Sequence, residues 1–278
     1  MRYIGTSMFV GLVVSLAIAS AASAAPLSYT GGTYSENFDT LPSTGTGTLP
    51  GKGPNDLVPG WTGVTGLTGW QGAITPLSSG TNTEYRADNG SGSGSTGRGL
   101  VSYGSTASSD RALGGLATSN QVPFFGLVLQ NNTANVLTQF TLSYTGEQWR
   151  RGNVPAPNTL SFSYGEAANI GGALTNYAPL TFTAPNTQAA PTEVALDGNA
   201  KANQTAISAT VTGLNWAPGE TLVLRWSAQD QSGQDDGLAI DNLSFQANAV
   251  PEPSSIALAL FGAVGLLAAV WRRRVALA

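Results

Sequence analysis

Cysteine and histidine are both missing from this 278-residue chain, and charged residues make up only 10% of it. Without cysteine, no disulfide can form and no thiol can act as nucleophile or redox centre. Without histidine, a Ser-His-Asp triad, a Cys-His pair and a histidine-based zinc site are all excluded. Carboxylate chemistry, Ser/Lys chemistry or a Tyr/Arg mechanism is all that remains. The scarcity of charge also argues for a folded body. Disordered chains carry more charge and fewer apolar runs, whereas this chain combines 35 glycines with regular apolar segments.

Both ends have the make-up of processing segments, which precede any argument about fold. Residues 1–24 hold one basic residue, Arg2, then an apolar run from Met8 to Ala19, then Ala22-Ser23-Ala24. This is the layout of a secretory signal peptide, with cleavage expected after Ala24, because a cut after Ala25 would leave Pro26 first. At the other end, Ile256 to Trp271 carry no charge and are followed by Arg272, Arg273 and Arg274. As a helix, this run would span roughly 24 Å, short of a hydrocarbon core of about 30 Å. Thinning of the bilayer or snorkelling of Arg272 can close the gap. The arginine cluster should stay cytoplasmic, which puts the body on the other side.

The order Val250-Pro251-Glu252-Pro253-Ser254, apolar helix, arginine cluster resembles the PEP-CTERM sorting domain family. The resemblance covers about the last 29 residues. It implies recognition by exosortase, a membrane protease-transferase, with the tail removed near the Pro-Glu-Pro motif. It further implies a Gram-negative, exopolysaccharide-producing host. The body would be anchored in the inner membrane transiently, then reach the cell surface or the extracellular matrix. Leu41-Pro42-Ser43-Thr44-Gly45 matches the LPxTG signal of sortases, but it lies far upstream of any C-terminal anchor and in a Thr/Gly/Pro-rich stretch where such strings arise easily.

The chain thus divides into a signal peptide (1–24), an exported body (25–249) and a sorting tail (250–278). Setting aside Arg2, Arg272, Arg273, Arg274 and Glu252 leaves 8 basic and 15 acidic residues, a body near −7. Such a body does not seek nucleic acid, which demands clustered Lys and Arg. Divalent cations suit it better.

Within the body, apolar residues alternate with period two, the mark of half-buried strands. Phe140, Leu142 and Tyr144 share a face, as do Leu160, Phe162 and Tyr164, and Leu222, Leu224 and Trp226. Leu180 and Phe182 form a shorter pair. Further strands are expected at Thr83–Ala87, Arg98–Tyr103, Phe124–Gln130, Thr205–Val211 and Leu238–Phe245. In the last, parity switches between Ile240 and Leu243, which predicts a β-bulge near Asp241 or Asn242. Leu41–Asp56 and Asn89–Gly97 read as loops. About ten strands predict an all-β, two-sheet β-sandwich of jelly-roll type, flanked by the signal peptide and one C-terminal transmembrane helix.

The strand pattern and the ending Gly237-Leu238-Ala239-Ile240-Asp241-Asn242-Leu243-Ser244-Phe245 look like jelly-roll modules of extracellular proteins, including many carbohydrate-binding modules. Glu36-Asn37-Phe38-Asp39 could fill the acidic-aromatic first strand of such modules. The resemblance implies that first and last strands lie adjacent and share a structural calcium, with Glu36, Asp39 and Asp241 as ligands. A second oxygen-rich set, Asp230, Asp235 and Asp236 with Asp241, suits calcium by ligand type but reads equally as a solvated acidic turn. Gly146-Glu147-Gln148-Trp149-Arg150 is similar to a string found in bodies attached to such tails. Glu147 beside Arg150 or Arg151 is either a carboxylate near a cation or a strand-end salt bridge.

Trp61, Trp70, Trp149, Trp216, Tyr85 and Tyr103 are the rings that could stack on sugar. Trp61 and Trp70, in a Gly-rich segment, are the better carbohydrate candidates. Trp226, on an alternating apolar face, belongs to the core. Two-carboxylate catalysis needs a pair at a set separation, which sequence spacing does not establish, so no enzymatic activity is expected. The expectation is a non-enzymatic surface or matrix protein of the exopolysaccharide layer, handled by signal peptidase and exosortase. A discrete carbohydrate-binding module is the alternative, and a glycan-acting enzyme the third class.

Overall fold

The computed structural model describes residues 25–49, 53–57, 67–76, 84–92, 98–119, 121–153, 156–187 and 193–249. The signal peptide, Trp61, the sorting motif from Val250 to Ser254, the apolar helix and Arg272 to Arg274 lie outside the described residues. No helix among the described residues is long and apolar enough to cross a membrane.

The alternating segments become strands with their apolar faces inward. Seventeen strands, numbered in chain order, form two sheets among the described residues. The first sheet runs β12 (Thr175–Asn176), β11 (Thr159–Glu166), β16 (Thr221–Ala228), β9 (Gln121–Asn131), β5 (Trp70–Pro76), β4 (Asn55–Asp56). Beside it, β1 (Leu27–Tyr29) pairs with β9 and β13 (Phe182–Thr183) with β11. The second sheet runs β14 (Val194–Ala195), β10 (Leu137–Arg151), β17 (Gly237–Asn248), β8 (Ala112–Leu116), β7 (Gly99–Tyr103), β6 (Glu84–Asp88), β3 (Thr46–Thr48). Here β15 (Gln204–Trp216) pairs with β10, and β2 (Thr33–Glu36) with β17. Most pairs are antiparallel; β1 with β9 and β6 with β7 are parallel.

The main core lies between the sheets. Phe140, Leu142 and Tyr144 from β10 meet Leu160 and Phe162 from β11 and Leu222, Leu224 and Trp226 from β16. Trp226 is fully buried. It stacks on Trp70 and Phe125 and meets Tyr144 and Phe162 edge-on at 5.6 and 5.1 Å. Leu180 is buried in a single 3-10 turn, Ala178–Leu180, beside Phe182 in β13.

Two readings of the chain are corrected. Leu41–Asp56 is not simply a loop: it holds β3 and β4, and Leu41 and Leu49 are buried in the core. Leu41 opens the LPxTG-like string, and the next carbonyl, Pro42, accepts a 2.8 Å hydrogen bond from Ser102 Oγ, so the string is built into the fold. Nor is the Asp235–Asp236 stretch a solvated turn, since both residues are buried.

A second, smaller core covers part of the second sheet's outer face, where Val101, Tyr103, Ala112, Trp149 and Ala239 pack together. Tyr103 and Trp149 stack with 7° between their planes. The chain passes this core closely at Gly90, whose φ is +87°; a Cβ there would lie 1.8 Å from the Trp149 carbonyl oxygen. The result is that β10 alternates at its start but is buried on both faces from Gly146 to Arg150.

Candidate functional site

The bulge predicted in the last strand is present, and it organises the acidic residues. In the β10–β17 pairing, Ser143 faces Ser244 while Thr145 faces Asp241, so two residues of β17 stand opposite one of β10. Asn242 takes the left-handed conformation, with φ at +49°. Across the other edge of β17, Leu238 to Ile240 pair with β8, whereas Leu243 to Gln246 pair with β2. Asp241 thus sits where the edge of β17 passes from one partner to the next. The strand that ends at Glu36, β2, lies beside the last strand, with Leu243 opposite Glu36, whereas β1 pairs with β9 in the other sheet.

Asp241 is 3% exposed. Its carboxylate accepts from the Asn242 backbone N–H at 2.6 Å and from Asn242 Nδ2 at 2.8 Å. Burial pushes its pKa up to about 7, and the negative charges of Asp110, Asp39 and Glu36 push the same way. Glu147 is 1% exposed and accepts from Trp149 Nε1 at 2.8 Å and Gln204 Nε2 at 3.0 Å. Burial, with help from Asp241 and Asp110, raises it to about 8. Glu36 accepts from the Phe38 N–H at 2.9 Å, and Asp39 from Asn37 Nδ2 at 2.6 Å and the Arg111 backbone N–H at 3.2 Å. Asp110 accepts from Asn199 Nδ2 at 2.6 Å.

Glu36, Asp39 and Asp241 are therefore brought to one region, joined by Asp110 and Glu147, which sequence spacing did not group with them. Parity could have pointed to Glu147: Thr145 lies opposite Asp241, and Glu147 is two residues further along the same face of β10. Among the described residues these buried carboxyl groups have no cation partner; the ion pairs there are Arg86–Glu84 and Arg150–Glu193. That donor chemistry fits a hard cation such as calcium. The spacing is not that of a closed cage, because no three acidic side chains among the described residues converge to hold a metal.

Glu147 and Arg150 do not pair. A register shift between Gln148 and Arg150 separates them along β10, and Arg150 instead meets Glu193 at 2.6 Å. The same guanidinium donates to the carbonyls of Gly92 and, at 3.4 Å, Asp235. Asp236 caps the neighbouring backbone, accepting from Gly152 N–H at 2.7 Å and Asn158 N–H at 3.3 Å.

The aromatic candidates are not a sugar platform where the structure describes them. Trp70 is 0% exposed, and its Nε1–H donates to the Tyr34 hydroxyl at 2.9 Å. Trp149, Trp216, Tyr85 and Tyr103 are also buried. The exposed large hydrophobics among the described residues are Val136 and Val194, neither of them aromatic.

These features define an all-β protein of two packed sheets in which two buried carboxyl groups, Asp241 and Glu147, and the more exposed Glu36, Asp39 and Asp110 gather around the β17 bulge. Residues 249–274 match the PEP-CTERM protein-sorting motif. The chain carries a PEP-CTERM sorting tail, and the motif implies an exosortase-dependent, exported cell-surface protein. The comparison with curated proteins finds no match. Among solved structures, the chain is similar to the CBM22-1 xylan-binding domain of Paenibacillus barcinonensis Xyn10C, at 11% identity and TM-score 0.30, covering 80% of this chain and 98% of that one. It is similar to the K3 cleaved adhesin domain of Lys-gingipain from Porphyromonas gingivalis, at 12% identity and TM-score 0.32, covering 52% and 78%. It is also similar to TmCBM61, solved with β-1,4-galactotriose, at 7% identity and TM-score 0.28, covering 51% and 74%. Likenesses this distant carry no statement about ligand.

Proposed function

We propose that this is a non-enzymatic surface or matrix protein of the exopolysaccharide layer, exported through its signal peptide and released from a transient inner-membrane anchor when exosortase acts on its tail. The sorting motif at residues 249–274 carries the reading. The burial of the described tryptophans supports a structural role for the body, with its rings spent on packing. A glycan array with the mature protein tests it against the alternatives. No saturable binding and no turnover is the expected result. Saturable binding of one polysaccharide, lost on Trp61→Ala, would replace it with a carbohydrate-binding module, and turnover would replace it with an enzyme.

The body also takes up a structural calcium near the β17 bulge, with Asp241, Glu36 and Asp39 drawing in on the ion as ligands, in a sandwich of jelly-roll type. The support is electrostatic: a buried Asp241 faces three other carboxylates without a cation. Their effect on stability has a definite sign. The folded values of about 7 for Asp241 and about 8 for Glu147 lie above the ordinary 3.8 and 4.5. The fold therefore binds more protons than the unfolded chain in that window. The stability these groups contribute is complete below about pH 4 and is lost as pH rises through 7 and 8. Chelator-treated protein should melt at lower temperature at about pH 8 than at about pH 5. Calcium at a hundredfold above its dissociation constant should restore about 2.7 kcal/mol. Scanning calorimetry reads both effects, and an equal calcium shift in Asp241→Asn would contradict the assignment.

A further inference from the structure

A second pair of carboxylates lies away from the bulge, in the segment that leads into β17. Asp235 is 3% exposed. Its Oδ1 is well served, accepting from Asn158 Nδ2 at 2.8 Å and the Gln231 backbone N–H at 3.0 Å. Its Oδ2 is buried and receives no hydrogen bond, and the same holds for Asp230 Oδ1. The two carboxyl groups lie within hydrogen-bond reach of each other. Ionised, the two acceptors cannot satisfy one another, since neither has a proton to give; burial pushes Asp235 up to about 7, and a proton shared with Asp230 is the rival way to satisfy the pair.

The surroundings supply no remedy. Neither aspartate joins an ion pair. Arg150 approaches only the Asp235 backbone carbonyl, and its guanidinium is engaged with Glu193. Asp236, next in sequence, turns away to cap Gly152 and Asn158. An unpaired buried charge costs several kcal/mol unless a cation or proton offsets it. Asn158 meanwhile holds the segment in place, donating to Gln229 O at 2.9 Å and accepting from the Asp236 N–H at 3.0 Å. The donorless oxygens are therefore held together by the fold.

We propose that Asp230 and Asp235 form a calcium-binding site, separate from the one at the bulge, in which a divalent cation bridges Asp230 Oδ1 and Asp235 Oδ2. Calcium suits it better than magnesium, because calcium accepts irregular oxygen sets while magnesium demands near-ideal octahedral geometry. Two protein carboxylate oxygens leave most of the shell to water, so affinity belongs in the range of extracellular modules, about 10⁻⁴–10⁻³ M. Binding pins the turn before β17 to the start of β11, through Asn158.

The test is titration calorimetry with calcium alone on chelator-treated protein. Asp241→Asn serves as the background, so the bulge site and this one are read apart. One binding event should remain in Asp241→Asn and weaken at least tenfold in Asp241→Asn/Asp230→Asn. Asp230 is only partly buried, which keeps the second substitution compatible with folding; circular dichroism checks it, and Asp235→Asn provides an independent arm. Unchanged binding in the double variant would overturn the proposal. So would no binding by Asp241→Asn at millimolar calcium, with thermal stability responding only to acid: the pair would then share a proton instead. Failure of the bulge site alone leaves this event intact in the unsubstituted protein.

Discussion

Replacing Trp226 with alanine is expected to lower unfolding free energy by about 3–5 kcal/mol, the usual cost of removing a large buried aromatic side chain. The position justifies the upper part of that range. Trp226 has no exposure, and four aromatic neighbours contact it: Trp70, Phe125, Tyr144 and Phe162. Phe125 and Phe162 come from the strands flanking β16, in register with Trp226 itself. Tyr144 reaches it from β10 in the opposite sheet. A cavity there separates the two sheets at their middle and cannot close by moving one side chain. Urea denaturation should show a lower midpoint with an unchanged slope. A loss below about 1 kcal/mol would mean that the ring is not at the centre of the core.

The second large effect is expected at Arg150. Its side chain ties together three separate stretches, through Gly92 O, Asp235 O and the Glu193 carboxylate. Removing one partner of a fully buried pair costs about 3–5 kcal/mol. Glu193 keeps 26% exposure, so water recovers part of that, and about 2–3 kcal/mol is expected for Arg150→Ala. The loss should be local as well as global. Hydrogen exchange should quicken around residues 84–92, 193–200 and 229–236, while amides in β9 and β16 follow global stability alone. Arg150→Lys should rescue little, because one ammonium cannot reproduce the planar fork. Uniform acceleration across the molecule would show that Arg150 does not tie these segments.

The contrast between these residues shows what the chain made legible. Trp226 was readable because Leu222 and Leu224 lead to it on one parity, although Val223 between them is buried as well, in a separate small core with Ala73, Val128 and Ile170. The bulge at Asn242 was readable for the same reason: Leu238 and Ile240 fall on one parity, Leu243 and Phe245 on the other. The pairing of the Glu36-bearing strand, β2, with the last strand came from a resemblance rather than from periodicity. Glu147 to Arg150 defeated the pattern, because a second small core lies over the outer face and every position is buried. Trp70, a carbohydrate candidate by its Gly-rich surroundings, is buried for a related reason: its strand is covered on both faces as far as Ile74. Asp235 and Asp236 read as surface because nothing in their spacing reveals that Asn158 and Gly152, some eighty residues earlier, supply their hydrogen bonds.

The central claim is that this sandwich is made for export and sorted by its tail. Intact-mass analysis of the protein from the surface of its native host tests that most directly. The account predicts a polypeptide beginning at Ala25 and ending near Pro251 to Pro253, with the apolar tail and its three arginines gone. It also predicts that replacing Pro251, Glu252 and Pro253 with alanine leaves the tail uncleaved while the polypeptide still begins at Ala25. A surface-exposed form that retains the full tail through Ala278 would contradict it.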